Sequence, residues 1–295
     1  MNFQPINIVF SGGGVKGLSF IGVVQEMEKH GMIDGIMNFI GTSAGSIMCL
    51  MLVCGYSSTE MIEFVRTLSS KDILCIDLES IMEFPKTYGL DNDMSLKETL
   101  KKILLKKGYH HDITFLELVK SIGKNLIVTA SNLQKKEIEY FSVDTHPNVS
   151  ILYAIMASCC IPILYRPVQI NKFMYVDGGM YKNFPIDYFR DDHETIGFTI
   201  KTAETTVTSN FFSYIWGIID SVLDSVYKST TTKRKNVKMC EIRLPEIGYQ
   251  FDYEDFQVDV GVEERMSIIE CGRVQFADYI ISLTADSMAS MVRAP

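Results

Sequence analysis

Gly41-Thr42-Ser43-Ala44-Gly45 is a G-x-S-x-G pentapeptide between two different kinds of sequence. An apolar run of strand length, Ile36 to Ile40, precedes it, and Ser46 to Val53 can continue as a buried helix. A serine on a tight strand-to-helix turn presents its hydroxyl with a helix N-terminus behind it. Flanking glycines let the backbone make that turn without a Cβ clash. Such a serine can attack a carbonyl carbon. Glycine and serine are also common in plain turns, so the pentapeptide alone reads first as a structural bend.

A second cluster, Gly12-Gly13-Gly14-Val15-Lys16-Gly17, follows the strand-like stretch Ile6 to Ser11 and opens a helical one from Leu18 to His30. Its spacing fits the dinucleotide fingerprint, which also wants an acidic residue at the end of the second strand. Asp34 precedes that strand instead, and the strand runs into Ser43. A Walker loop is excluded, because no Gly-Lys-Ser/Thr closes the cluster. The other use of consecutive amides at a helix start is an oxyanion hole, here Gly12, Gly13 and Gly14. The two strands are consecutive and can lie side by side, which puts both turns at the carboxyl edge of one sheet, where open α/β sheets bind ligands.

A nucleophilic serine needs a base. Asp177 ends a strand-like run, and Gly178 and Gly179 leave its carboxylate uncrowded. A plain Asp-Gly turn is the competing reading. The order Ser43, Asp177, His193 would suit a hydrolase triad, but His193 sits in the charged run Arg190 to Glu194, which reads as a solvated loop. His30, His110, His111 and His146 fall at helix ends or in loops.

These motifs, in this order, resemble the patatin-like phospholipase family. The resemblance extends to Ala157-Ser158, Pro162, Arg166-Pro167-Val168 and Asn183-Phe184-Pro185, and covers about Ile6 to Ile200. Cys159-Cys160 departs from the small residues usual there, and the C-terminal third has little of the signature. The resemblance implies a dyad without histidine. Ser43 would attack a lipid ester, Asp177 would take its proton, Gly12 to Gly14 would hold the oxyanion, and Gly41 and Gly45 would shape the elbow. Phospholipid is the expected substrate. Triacylglycerol is the alternative, and a Rossmann-type nucleotide-binding protein a more distant one. No cofactor and no metal are expected; Asp252, Glu254, Asp255 and Asp259 lack the spacing of an EF-hand loop.

The elements that must position these residues alternate strand and helix. The expected fold is α/β, a three-layer α/β/α sandwich with a mostly parallel central sheet. It is expected to form one domain over residues 1–295, with a catalytic core over about 6–200 and a helical C-terminal part over about 205–295. Capping boxes at Ser57-Glu60, Ser95-Glu98 and Thr114-Glu117 open helices, and residues 149–158 form another. Strands are expected at 125–130, 137–142, 163–170, 172–176 and 195–200, and a loop with short pieces of structure at 71–93. Phe211 to Tyr227 has two apolar stripes, Phe211/Ile215/Ile218/Val222 and Phe212/Trp216/Ile219/Leu223, with core packing as the default and acyl-chain or membrane contact as the alternative. Residues 261–291 are amphipathic.

Composition limits the partners. The 295 residues are 47% hydrophobic and 22% charged, with a net charge of −8, which gives no electrostatic case for nucleic acid. Seven cysteines without a C-x-x-C read as free thiols in a reducing compartment. With no secretory signal and no membrane-length apolar run, the expectation is an intracellular, cytoplasmic protein that meets lipid peripherally, at a membrane or droplet surface. Residues 95–108 place Lys97, Lys101, Lys102, Lys106 and Lys107 on an amphipathic helix, which suits anionic lipid or, more simply, solvent. Lys233-Arg234-Lys235 with Lys238 reads as a charged helix end.

Overall fold

The computed structural model describes residues 3–69, 72, 74–91, 94–189, 194–202, 211–231, 237–245, 250–252 and 257–292. His193, Lys233 to Lys235, Glu254 and Asp255 lie outside them, as do the side chains of Phe211, Phe212 and Trp216. The chain begins β1 (Asn7–Phe10), a 3-10 turn (Gly14–Leu18), α1 (Ser19–Lys29), β2 (Asn38–Thr42), α2 (Ala44–Val53) and α3 (Ser58–Thr67). Next come α4 (Leu78–Thr87), α5 (Met94–Lys106), α6 (Phe115–Ile122), β3 (Asn125–Asn132), β4 (Glu137–Phe141) and α7 (Ile151–Cys159). β5 (Val168–Ile170), β6 (Phe173–Asp177), the short α8 (Gly179–Lys182) and β7 (Thr195–Thr202) follow. The chain closes with α9 (Phe211–Thr230), β8 (Val237–Leu244), β9 (Gln250–Asp252), β10 (Gln257–Asp259) and α10 (Val262–Val292).

Five parallel strands run β3-β2-β1-β7-β8. Successive residues of a strand point to opposite faces, and the apolar ones sort accordingly. Ile8, Phe10, Phe39, Leu126, Val128, Ile196 and Phe198 join the main core, which also holds buried residues of α1, α2, α5, α7 and α10. Val9, Ile40 and Ile127 face the other way, onto Phe184, Ile186 and Phe189. The sheet therefore has a helix-rich layer on one face and a thinner layer on the other, as expected from the sequence.

Three antiparallel strands complete the sheet, and their register positions the site. One edge of β3 pairs with β4 over Val128 to Asn132. The other edge pairs with β2 as far as Thr42↔Thr129, then with β6 from Ala130↔Asp177. β6 thus continues β2's column of the sheet, running toward it. Asp177 takes the ladder position next beyond Thr42.

The structure corrects several expectations. Residues 78–87 form a helix, capped by Asp77 on the amide of Ser80; Leu78 and Met82 point outward and Pro85 lies inside it, so no core-facing stripe announced it. The Ser57 and Thr114 boxes are both present, but Ser95 lies inside α5 and is not its cap. Residues 163–167 are not a strand, because Pro162 precedes the segment, Pro167 lies in it and Ile163 has φ +75°. The C-terminal part is not only helical, since β8 extends the sheet beside β7. The lysines of α5 favour the simpler reading, with Lys101 on Glu98 and Lys102 on Asp72; Lys107, just past the helix, pairs with Glu60. All seven cysteines are unpaired. Among the described residues no helix is long and apolar enough to cross a membrane.

Candidate active site

Ser43 joins β2 to α2 at φ +51°, ψ −126°, a left-handed conformation that a residue with a Cβ adopts only when its surroundings impose it. The two glycines of the pentapeptide are sterically required. A Cβ on Gly41 would sit 2.3 Å from the Gly45 carbonyl oxygen, and one on Gly45 would sit 2.5 Å from those of Phe10 and Ser11. A serine before a helix normally caps it with its hydroxyl. Here no such bond forms, so the Ser43 hydroxyl is left for other chemistry. The backbone of Ser43 is fixed instead: its amide donates to Ser158 Oγ at 2.8 Å, and Ser46 Oγ donates to its carbonyl at 2.6 Å.

The Gly-rich turn lies against this serine. A Cβ on Gly12 would be 3.3 Å from Ser43 Cβ and 2.4 Å from Asn183 Oδ1. The three glycines are not equivalent, however. The Gly12 amide donates to the Asn183 carbonyl at 3.1 Å. Among the described residues the amides of Gly13 and Gly14 meet no acceptor, and both residues are half-buried. Gly14, at φ +52°, starts the 3-10 turn, and Lys16 within it pairs with Asp220 of α9 at 3.3 Å.

Asp177 is buried, and its main chain is anchored on the same turn that holds Ser43. Its amide donates to the Cys160 carbonyl at 2.9 Å, that of Gly178 to the Ser158 carbonyl at 3.2 Å, and Ser131 Oγ to the Asp177 carbonyl at 2.8 Å. Of the carboxylate oxygens, Oδ1 accepts the Gly179 amide at 2.7 Å, while Oδ2 is buried without a hydrogen-bond partner. Burial pushes the Asp177 pKa up to about 6; the nearby Ser43 hydroxyl and the Gly179 amide pull it back part of the way. Ser43 is thus close enough to act on the carboxylate without completing a hydrogen bond to it. A buried, unpaired carboxylate oxygen beside a serine hydroxyl is an arrangement that can accept a proton.

The structure brings Ser43, Asp177 and the Gly12–Gly14 turn together. It does not bring the described histidines to them. His30 lies near Glu26, His111 pairs with Asp112, His110 accepts the Asp112 amide, and His146 packs on Phe141. Two residues had no assigned role in the sequence. Ser158 bonds to both halves of the site, and Asn183 binds the Gly12 amide and lines both glycine turns. Their membership of the family-like stretches was the only available signal. An apolar pocket of about 470 Å³ opens beside the Asp177 turn, walled by Phe84, Tyr88, Ile163, Val176, Met180 and Tyr181 among others.

Residues 8–190 match the family model of patatin-like phospholipases. A "probable lipid hydrolase 463L" of Invertebrate iridescent virus 6 is 34% identical over 182 residues, which is 61% of this chain and 61% of that protein. "Triacylglycerol lipase ptl3" of Schizosaccharomyces pombe is 29% identical over 200 residues, 61% of this chain and 40% of that one. The chain thus aligns with less than two thirds of either relative. Among solved structures, VipD from Legionella pneumophila has the same fold, with a TM-score of 0.59 at 19% identity, over 96% of this chain and 67% of that one. The chain belongs to the patatin-like phospholipase family.

Proposed function

We propose that the protein hydrolyses carboxylic esters of phospholipids through a Ser43–Asp177 dyad. Asp177 Oδ2 accepts the Ser43 proton as Oγ attacks the ester carbonyl carbon. The amides of Gly13 and Gly14 stabilise the oxyanion of the tetrahedral intermediate. Removing one such donor typically lowers the rate by about 10²–10³. On collapse, the acyl–oxygen bond breaks and the leaving alcohol takes the proton from Asp177. Water then attacks the acyl-serine and gives a proton to Asp177; on collapse Asp177 returns that proton to Ser43 Oγ as the Oγ–acyl bond breaks and the fatty acid leaves.

The observation that supports this reading best is the buried Asp177 Oδ2, which has no partner while its neighbour is a serine freed from capping. The raised Asp177 pKa suits a general base near neutral pH better than an ordinary carboxylate would. A second reading, acylglycerol as substrate, has the Schizosaccharomyces pombe relative in its favour. We further take residues 1–295 to act as one domain that meets its lipid peripherally.

A lipid panel read by mass spectrometry separates these readings. Phospholipid should lose acyl chains with wild type and not with Ser43→Ala or Asp177→Asn. Release from acylglycerol alone would favour the second reading. Fluorophosphonate labelling that survives Ser43→Ala would rule out Ser43 as the nucleophile.

A further inference from the structure

The reactive serine is closed off. Ser43 is 5% exposed and Asp177 3%, yet a lipid ester must reach Ser43 Oγ. The cover is α9. Its Leu223 lies where a Cβ on Gly179 would come within 2.8 Å, and its Asp220 pairs with Lys16 of the Gly-rich turn. Its Ile219 packs on Ile161 and Leu164, in a small apolar cluster separate from the main core. Lifting this part of α9 would leave the main core intact.

The same helix has a second apolar face. Tyr214, Ile218 and Val222, spaced four apart, are 56%, 46% and 38% exposed. They form one stripe along the rim of the buried face. Core packing therefore accounts for Ile215, Ile219 and Leu223 and leaves the neighbouring stripe in water. The charges of α9 are two aspartates and one lysine, and Lys228 is paired with Asp224. The helix has no excess of cations to attract anionic lipid.

We propose that the Tyr214–Ile218–Val222 stripe docks on a zwitterionic phospholipid bilayer, and that docking draws α9 off Ser43. The proposal rests on the lipid hydrolase reading given above. Docking exchanges contacts between α9 and the Asp177 turn for contacts with acyl chains, so the bilayer widens access for a lipid, while a small soluble ester reaches Ser43 without it. The attraction is apolar, so screening by salt does not weaken it.

The test uses the full chain in the Ser43→Ala background and phosphatidylcholine vesicles in a flotation assay. Ile218→Ser with Val222→Ser should lower the bound fraction about tenfold or more, given the transfer free energy of two aliphatic side chains. Binding of the parent should be no weaker at high salt than at low salt. In the Ser43-containing protein, the double variant should lose turnover on vesicles and keep that on soluble p-nitrophenyl butyrate. Asp220→Asn, which removes the closing ion pair, should raise the soluble turnover. Flotation of the double variant like its parent would overturn the docking surface. So would a dimer that the substitutions split while vesicle binding persists, because the stripe would then face a second copy of the chain. Soluble turnover that falls in Asp220→Asn would overturn the cover. Absence of ester hydrolysis by the wild type would refute the hydrolase reading instead, and flotation would still decide the surface.

Discussion

Ser158 holds both halves of the candidate site. Its hydroxyl accepts the Ser43 amide, and its carbonyl accepts the Gly178 amide next to Asp177. Ser158→Ala leaves a buried amide without an acceptor, which costs about 1–3 kcal/mol of stability. It also frees the strained Ser43 backbone to relax. The expected outcome is a lower thermal midpoint together with a lower kcat, measured on a soluble ester. An unchanged kcat beside a lowered midpoint would make Ser158 structural only. This residue shows what a sequence can and cannot reveal about a site. Ser43 and its glycines were legible, because a tight turn is a local demand. Ser158 had no readable role, because its partners are distant in the chain. Likewise the three glycines of the oxyanion turn looked alike until Asn183 was seen to occupy the Gly12 amide.

At the scale of elements, α10 is fixed to α1 by two glycines facing each other's backbone. A Cβ on Gly272 would come within 2.0 Å of the Ser19 carbonyl oxygen, and one on Gly22 within 1.9 Å of that of Ile269. The buried Glu26 then receives Arg273 Nη1 at 2.9 Å across the same contact. Backbone atoms cannot swing aside as a flexible side chain can, so Gly272→Ala must push the helices apart. Overpacking of this kind costs about 1–3 kcal/mol, and urea denaturation should show the loss in the midpoint. A denaturation midpoint within error of wild type would mean that the crossing is looser than its geometry implies. The long amphipathic pattern of 261–291 foretold α10, but not where it docks. β8 was missed for a different reason. It ends the strand order of the main sheet, and as an edge strand it includes Lys238, Glu241 and Arg243, which dilute the apolar alternation. Its identity as a strand comes from pairing with β7, which no local pattern announces.

The whole molecule brings Asp177 to Ser43, through a strand that continues the column of β2, and the folded state bears the consequence of burying that carboxylate. Asp177 has a pKa of about 6 in the fold against an ordinary value of 3.8. Between these two values the folded chain binds more protons than the unfolded one, so stability falls as pH rises through this window. Below about 4 the contribution is fully present, and above about 6 it is lost. At about 1.4 kcal/mol per pKa unit, ionised Asp177 costs the fold on the order of 3 kcal/mol at pH 8. Asp177→Asn keeps the shape without the charge. Its unfolding free energy should exceed that of wild type by that order at about pH 8, and the gap should close toward about pH 4. Catalysis has the opposite sign, because a general base works only when deprotonated: kcat/KM of the wild type should rise with pH through about 6. A residue that merely packed the site would lower stability and activity together when replaced. One whose replacement abolishes turnover while stabilising the fold above pH 6 must be a buried base, and equal stability of the two proteins at pH 8 would show that Asp177 is not ionised in a buried site.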